Sequence, residues 1–444
     1  MKYSYKSLLP WSTRHARQNL LLDLGVTSGS SANPGRMNGN PARALAVTAN
    51  WALGNPKGES WLSRDSQPVP KGKVRIIEGD GARRLGRKEK WDLLSPFLKQ
   101  HGREGIAYAT LQEGMDYFIA ETGYIAYTRV RHPLFARRPK RIAFSDPICA
   151  PEDLPDLIHS FLARDRRAAF CVISEQCAEV LRPMGFKVNC IGYEPLIAIQ
   201  TYNTQGNWKE LDLIRRARNE TRRGGVTIRE EDGASLSLRQ QELKALSAKW
   251  ITSKKINDRE IWLYARRPIF DHEEGVRKFV AYDNERRVAG FAFYDPMFRG
   301  GEVFGYSANI VRCDEQRFGR LATALHMEAL DQFKSEGKEL LNLLLAPFGK
   351  LDCGNFNDDW GAKLFFKLSA RFGNSIYNFK GLSFHKSKYR GQERPLYFAS
   401  NSLLPSNDIY LAFASAGLAD GCLATIGKLL RGMLAAGRNR NPVE

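Results

Sequence analysis

An α+β fold is predicted by three stretches of this 444-residue sequence. In the first, Phe304 to Pro347, a partly polar strand runs into the polar loop Cys313 to Gly319. Leu321, Ala322, Leu325, Ala329, Leu330 and Phe333 then recur at helical spacing, Gly337 ends the helix, and Leu340 to Leu345 is an apolar run of strand length. In the second, residues 106 to 199, several strands in succession are followed by helix, strand, helix and strand. The third is the return of that order after Val226. Together they predict two tandem domains, each a mixed, mainly antiparallel sheet flanked by helices.

The elements follow in order. Residues 1–75 are rich in Gly, Ser, Asn, Pro and Arg and bury too little apolar area to offset chain entropy, so a basic, disordered arm is expected. A helix from Lys88 opens a first domain, 88–205, with strands at Ile106 to Leu111, Asp116 to Ala120, Tyr124 to Val130, Arg141 to Phe144, Ala168 to Ser174 and Val188 to Ile199. Helices lie between the last three. Residues 206–225 read as a basic linker helix, with Leu211, Ile214 and Ala217 on its buried side. A second domain, 226–402, has a helix from Leu238 to Ser253, strands at Lys278 to Tyr282, Arg287 to Tyr294 and Glu302 to Val311, and then the opening unit. Residues 374–400 are dense in Lys, Arg, Tyr and Phe, which suits either contact with a phosphate or an aminoacyl ester or an edge strand guarded by lysines. Residues 408–437 read as an amphipathic helix lying on an interface, interrupted by Asp420, Lys428 and Arg431.

Composition narrows the function. A formal net charge of +19 calls for an anionic partner, nucleic acid or an acidic membrane. Seven cysteines without a Cys-x-x-Cys pair or a His cluster argue against a disulfide framework and a structural zinc site, and fit a reducing cytosol. No secretory signal and no segment long enough to span a bilayer is visible.

The element order is that of a GNAT-type acyltransferase. In a coenzyme A enzyme of that fold the loop before the helix carries Q/R-x-x-G-x-G/A; here Gln316 and Gly319 fit and Leu321 replaces the last small residue. Several motifs in order instead resemble the soluble catalytic region of the lysylphosphatidylglycerol synthases. They are SDP at Ser145 to Pro147, Ile191-Gly192, the series Arg215, Ala217, Asn219, and Trp250 in LSAKW. The second half adds AGFAFYDP at Ala289 to Pro296, a strand reaching Arg312, LLLAP at Leu343 to Pro347, and YNFKGLSFHKSKY followed by RPLYFA.

This resemblance, over residues 100 to 400, implies tandem GNAT-like domains that move an amino acid from aminoacyl-tRNA to a phospholipid headgroup such as phosphatidylglycerol, without coenzyme A, metal or other cofactor. The implied partners are aminoacyl-tRNA and an anionic phospholipid or membrane surface. The family's block of transmembrane helices has no counterpart, so a cytoplasmic protein, or one peripheral on the cytoplasmic face of the inner membrane, is expected. It also implies catalytic roles for Arg312, Lys386 and Tyr389 and substrate contacts for Lys380, Lys388 and Arg394. Arg215, Arg218, Arg222 and Arg223 are expected on tRNA. Asn309 stands where the family has an aspartate; an amide orients by hydrogen bonds but accepts no proton. Glu302, a candidate substrate contact, then joins Asp295 and Asp314 as an alternative acid. Transfer to a small-molecule hydroxyl or amine, an acyl-CoA N-acyltransferase, and a non-catalytic RNA- or membrane-binding module remain open as alternatives.

Overall fold

The computed structural model describes residues 73–133, 135–206, 209–253, 266–372 and 378–417, all within one compact unit. Residues 1–72 of the expected N-terminal arm and residues 418–437 of the expected C-terminal helix lie outside the described residues; Arg75, at the arm's end, already belongs to a strand.

One mixed sheet runs through the unit. Its strands in chain order are β1 (Arg75–Ile77), β2 (Asp116–Ala120), β3 (Gly123–His132), β4 (Ala136–Phe144), β5 (Ile148–Cys149), β6 (Ala168–Ile173) and β7 (Lys187–Ala198). Then come β8 (Thr227–Glu230), β9 (Arg277–Tyr282), β10 (Val288–Arg299), β11 (Glu302–Cys313), β12 (Leu340–Asn342), β13 (Ala346–Pro347) and β14 (Gln392–Ser400). The spatial order is β1-β2-β3-β4-β6-β14-β7-β12-β11-β10-β9-β8. Antiparallel pairing dominates, and a parallel pair recurs once on each side, β4 with β6 and β11 with β12. Strand β7 joins the two sides, pairing with β14 on one edge and with β12 and β13 on the other.

The helices are α1 (Asp80–Arg84), α2 (Arg87–His101), α3 (Leu154–Arg164), α4 (Glu175–Leu181), α5 (Leu211–Arg223), α6 (Gly233–Leu238), α7 (Gln240–Thr252), α8 (Leu321–Ser335), α9 (Trp360–Phe372), α10 (Phe379–Ser387) and α11 (Pro405–Ser415). Helix α8 buries Leu321, Leu325, Leu330 and Phe333, the face its spacing predicts. On the opposite side of the sheet, Leu243 and Leu246 of α7 pack with Phe291, Phe293 and Ile310.

Four expectations are corrected. Residues 106–111 form turns and a short 3-10 helix, Tyr108–Leu111, instead of a strand; they cross over the sheet, and Tyr117 and Tyr124 hydrogen-bond Thr110 there. The run Leu340 to Leu345 pairs only as far as Asn342, because Leu344 turns to φ 60°. Within the segment 374–400 there is no edge strand among the described residues. Residues 378–400 form α10, capped by the Asn378 side chain on the Gly381 N–H, and then β14, an interior strand between β6 and β7. Finally, α11 is not interfacial: Ile409, Leu411 and Ala412 are buried, and Asp408 takes hydrogen bonds from Lys140 on β4 and Ser400 on β14.

Candidate active site

Five polar side chains stand in a file across five neighbouring strands. Asp295 of β10 is the register partner of Ser307 on β11, and Ser307 that of Asn342 on β12. Asn342 pairs with Leu196 of β7, two residues from Glu194, and Glu194 is opposite Arg394 of β14. Because alternate residues of a strand share a face, all five point to the same side of the sheet. Asp295, Ser307 and Asn342 are fully buried and Glu194 almost so. A polar row in such a place requires internal partners, since unpaired buried polar groups cost about 1–3 kcal/mol each.

Most of the row has them. Arg394 donates to Glu194 at 2.7 Å and to Glu104 at 2.5 Å. Asn342 Nδ2 donates to Glu194 at 2.8 Å, and its Oδ1 accepts from the Leu344 N–H at 2.7 Å. Arg266 clamps Asp295 through Nε and Nη2 at 2.9 and 2.6 Å and reaches Glu273 through Nη1 at 2.6 Å. Glu273 also pairs with Lys278 at 2.7 Å. Residues 104–108 close over the row: Glu104 meets Arg394, and the Arg266 guanidinium lies 5.5 Å from the Tyr108 ring. A Cβ at Gly105 would come within 2.4 Å of Asn342 Nδ2, so only glycine lets this segment lie so close.

One group in the row and one beside it lack a protein partner among the described residues, the Ser307 hydroxyl and Asn309 Nδ2. Asn309 sits at a β-bulge, since β10 steps from Phe293 opposite Ile310 to Tyr294 opposite Ala308. Its Oδ1 accepts from the Arg266 N–H at 3.0 Å, which fixes the amide orientation and leaves Nδ2 as a donor without a partner. Strand β11 continues here after β12 has turned away at Asn342, so the polar row ends in a notch between separating strands.

Lys386 enters from α10. Its amine donates to the Leu344 and Leu345 carbonyls at 3.0 and 2.8 Å. Burial lowers its pKa to about 7 against the opposing pull of Glu194. A neutral amine has two N–H bonds, matching the two carbonyls, and keeps its lone pair. On the β4 side, Asp146 of the SDP motif accepts from the Ser174 N–H at 2.8 Å and from its hydroxyl at 2.5 Å. Burial, reinforced by Glu104, raises the Asp146 pKa to about 7, and Arg394 opposes this. Preceding it, Ser145 adopts φ 72°. Gly192 of the Ile191-Gly192 motif has φ 149°, and a Cβ there would lie 2.4 Å from the Ala346 carbonyl, so this glycine lets β13 dock on β7.

The predicted site residues thus separate. Arg394 belongs to the row, Asn309 stands two residues past Ser307 on β11, and Lys386 reaches the carbonyls of Leu344 and Leu345 just past Asn342. Arg312 is buried on the α7 side, its guanidinium 5.2 Å from the Trp250 ring and hydrogen-bonded to Ser247. It ties strand β11 to helix α7. Tyr389 is fully buried, and burial pushes its ionisation far up. Lys388 turns to Thr323 and His385, and Lys380 is exposed on the first turn of α10. Glu302 is exposed at the hairpin opposite Arg299; seven strand residues, roughly 23 Å, separate it from Asn309. Of the alternative acids, Asp295 belongs to the row, whereas Asp314 pairs with Lys249 at 2.7 Å. On α5, Arg218 is bound to Asp331 of α8, and Arg215, Arg222 and Arg223 are exposed.

Glu104, Glu194, Arg266, Ser307 and Asn342 went unnoticed in the sequence. The one available signal was Asn342, a lone polar residue inside an apolar run. Behind α8, His326 and His385 face each other at 5.7 Å between ring centroids, and both are held neutral by burial and by Lys388.

A family model described as phosphatidylglycerol lysyltransferase, C-terminal, matches residues 95–400. An uncharacterised protein of Corynebacterium glutamicum is 22% identical over 328 residues, 72% of this chain; the chain spans 40% of that relative's length. Among solved structures, the L-PGS of Bacillus licheniformis is 18% identical, with 73% of this chain and 94% of that one covered and a TM-score of 0.59. A C-terminal domain assigned to a lysylphosphatidylglycerol synthetase of Agrobacterium fabrum is 20% identical, with 76% and 99% covered and a TM-score of 0.60. These two establish the α+β fold, and among the described residues no helix is long and apolar enough to cross a membrane.

Proposed function

Since the chain belongs to the phosphatidylglycerol lysyltransferase C-terminal family, we propose that it transfers an aminoacyl group from aminoacyl-tRNA to a phospholipid headgroup such as phosphatidylglycerol. The observation that carries this reading is the buried polar row, beside which the Ser307 hydroxyl and Asn309 Nδ2 lack a protein partner among the described residues, while the Lys386 amine is held at the Leu344 and Leu345 carbonyls just past Asn342. An aminoacyl ester is already activated, so the protein must orient an acceptor hydroxyl, take its proton and stabilise the oxyanion.

Lys386, in the uncharged fraction that grows as pH rises through about 7, takes the proton as the hydroxyl oxygen bonds to the ester carbon. Asn309 Nδ2 and the Ser307 hydroxyl donate to the carbonyl oxygen as it becomes an oxyanion. Collapse of the tetrahedral intermediate breaks the bond to the ribose oxygen, which receives the proton back from the Lys386 ammonium. The reaction as proposed uses no resident cofactor. The clamp of Arg266 on Asp295 and the Arg394–Glu194–Asn342 network hold the flanking strands in place. On α5, Arg222 and Arg223 supply phosphate contacts to tRNA.

To test this, the full chain is incubated with tRNA charged with labelled amino acids and with a lipid extract, with and without RNase. The expected result is organic-soluble label that RNase abolishes. Label passing only to water-soluble products would shift the acceptor to a small molecule, and absence of any transfer would overturn the reading.

A further inference from the structure

Helix α9 shows solvent a face that a water-soluble surface does not need. Trp360, Leu364 and Leu368, spaced four residues apart, keep 79%, 47% and 36% of their area exposed, and this spacing stacks them along one stripe. Lys367 and Arg371 share the exposed side with them, and Lys363 borders it. The opposite face is fixed in the core: Ala362 and Phe366 are buried, and Phe365 meets Phe413 of α11 at 6.0 Å between ring centroids. The helix therefore cannot roll its stripe inward without emptying that core. Other large exposed apolar side chains sit on the neighbouring elements, Phe384 on α10 and Leu403 and Leu404 at the start of α11.

We infer that the stripe Trp360–Leu364–Leu368 is a docking surface for an anionic lipid bilayer, with α9 lying flat at the interface. Trp and Leu on one side and cations on the same exposed arc are what a headgroup boundary accepts: the rings and methyls enter the acyl edge, and the ammonium and guanidinium groups stay with the phosphates. The charge favours this occupant over a protein. Asp352 pairs with Lys363 at 3.0 Å and lies 3.8 Å from Lys367, and Asp358 and Asp359 before Trp360 pair with Arg182 and Lys187 at 3.0 Å each; with Arg371, five cations face three acids on the helix and its border, within a chain of net charge +19. A second copy meeting the same stripe would bring like charges together.

The layer under α9 is apolar. A cavity of about 40 Å³, lined by Phe366, Phe379, Phe413 and Leu345 among others, lies between this helical layer and the sheet. The Leu345 carbonyl is one of the two that hold Lys386, so a bilayer against α9 lies on the side from which that lysine enters. The docking surface itself does not depend on the aminoacyl-transfer reading and is tested without catalysis.

The full chain and a Trp360→Ser, Leu364→Ser, Leu368→Ser variant are floated with vesicles of phosphatidylglycerol and phosphatidylcholine, and with phosphatidylcholine alone. Leu364 and Leu368 keep part of their area packed, so the variant is expected to fold with a somewhat lowered thermal midpoint. The wild type is expected to float with the anionic vesicles and the variant to lose about tenfold or more in partition coefficient. Equal flotation of the two proteins would overturn the inference, as would a wild-type dimer in light scattering that the substitutions dissociate. If the triple variant unfolds, Trp360→Ser alone decides: an unchanged partition coefficient overturns the inference and a lowered one supports it.

Discussion

Lys386 can serve as a base only while uncharged, and its two carbonyl partners satisfy a neutral amine as well as a charged one. Burial holds its pKa at about 7, so the fraction able to accept a proton rises through that pH. Transfer is expected to increase from pH 6 to 8 and then level, measured as initial rate with spontaneous ester hydrolysis subtracted. Lys386→Arg keeps a permanent charge and should lose about 10²–10⁴ in rate across that range; a variant with the wild-type profile would remove Lys386 from the chemistry. Asn309 offers a sharper choice. If Nδ2 donates to the oxyanion, Asn309→Asp still accepts from the Arg266 N–H yet cannot donate, and should lose about 10²–10³ in rate, as Asn309→Ala should. If the position served to accept an ammonium, the aspartate variant would be the better enzyme. Comparing the two variants with the same donor separates these roles.

At the scale of elements, α5 is basic for two distinct reasons. Arg218 is bound to Asp331 and packs the helix against α8, whereas Arg222 and Arg223 are exposed at its end. Replacing Arg222 and Arg223 by Gln should lower the slope of log affinity for tRNA against log salt by about 1.5–2 and leave the melting temperature unchanged. Arg218→Gln should instead cost up to about 1 kcal/mol in stability, read from urea denaturation, with a smaller change in slope. The difference between these arginines is not legible in the sequence, because Asp331 lies 113 residues away. Other elements were legible. The periodicity of α8 gave its buried face, and the order of strands and helices gave the α+β class. The strand Leu340 to Leu345 was read too long because apolarity alone does not report where a chain turns to positive φ at a leucine. Residues 106–111 were read as a strand because a buried apolar segment that crosses a sheet has the composition of one inside it. The candidate site was visible only in parts: Lys386 and Arg394 stood in motifs, while Glu104, Glu194 and Ser307 acquire meaning from strand register alone.

For the whole molecule, the decisive contact is the one that gathers distant segments onto β7. Arg394 of β14 joins Glu194 of β7 and Glu104 of the crossing segment, and Asn342 of β12 joins the same Glu194. The nearly buried Glu194 carboxylate therefore holds β14 and β12 to β7, and through Arg394 the crossing segment as well. Removing only the cation leaves that carboxylate without its counter-charge, a change that typically costs about 3–5 kcal/mol. Removing both charges leaves an apolar pair and should cost much less. Arg394→Met is thus expected to lower stability by about that amount in urea denaturation, and Arg394→Met with Glu194→Met to recover most of it. The recovery is incomplete because Glu104 and Asn342 each lose a partner. If the network merely decorates a sheet already fixed by its backbone ladder, the single and double variants will unfold at the same urea concentration. If it holds the sides together, the single variant will also lose transfer, since the position of β12 sets where its strand leaves β11 and opens the notch at Asn309.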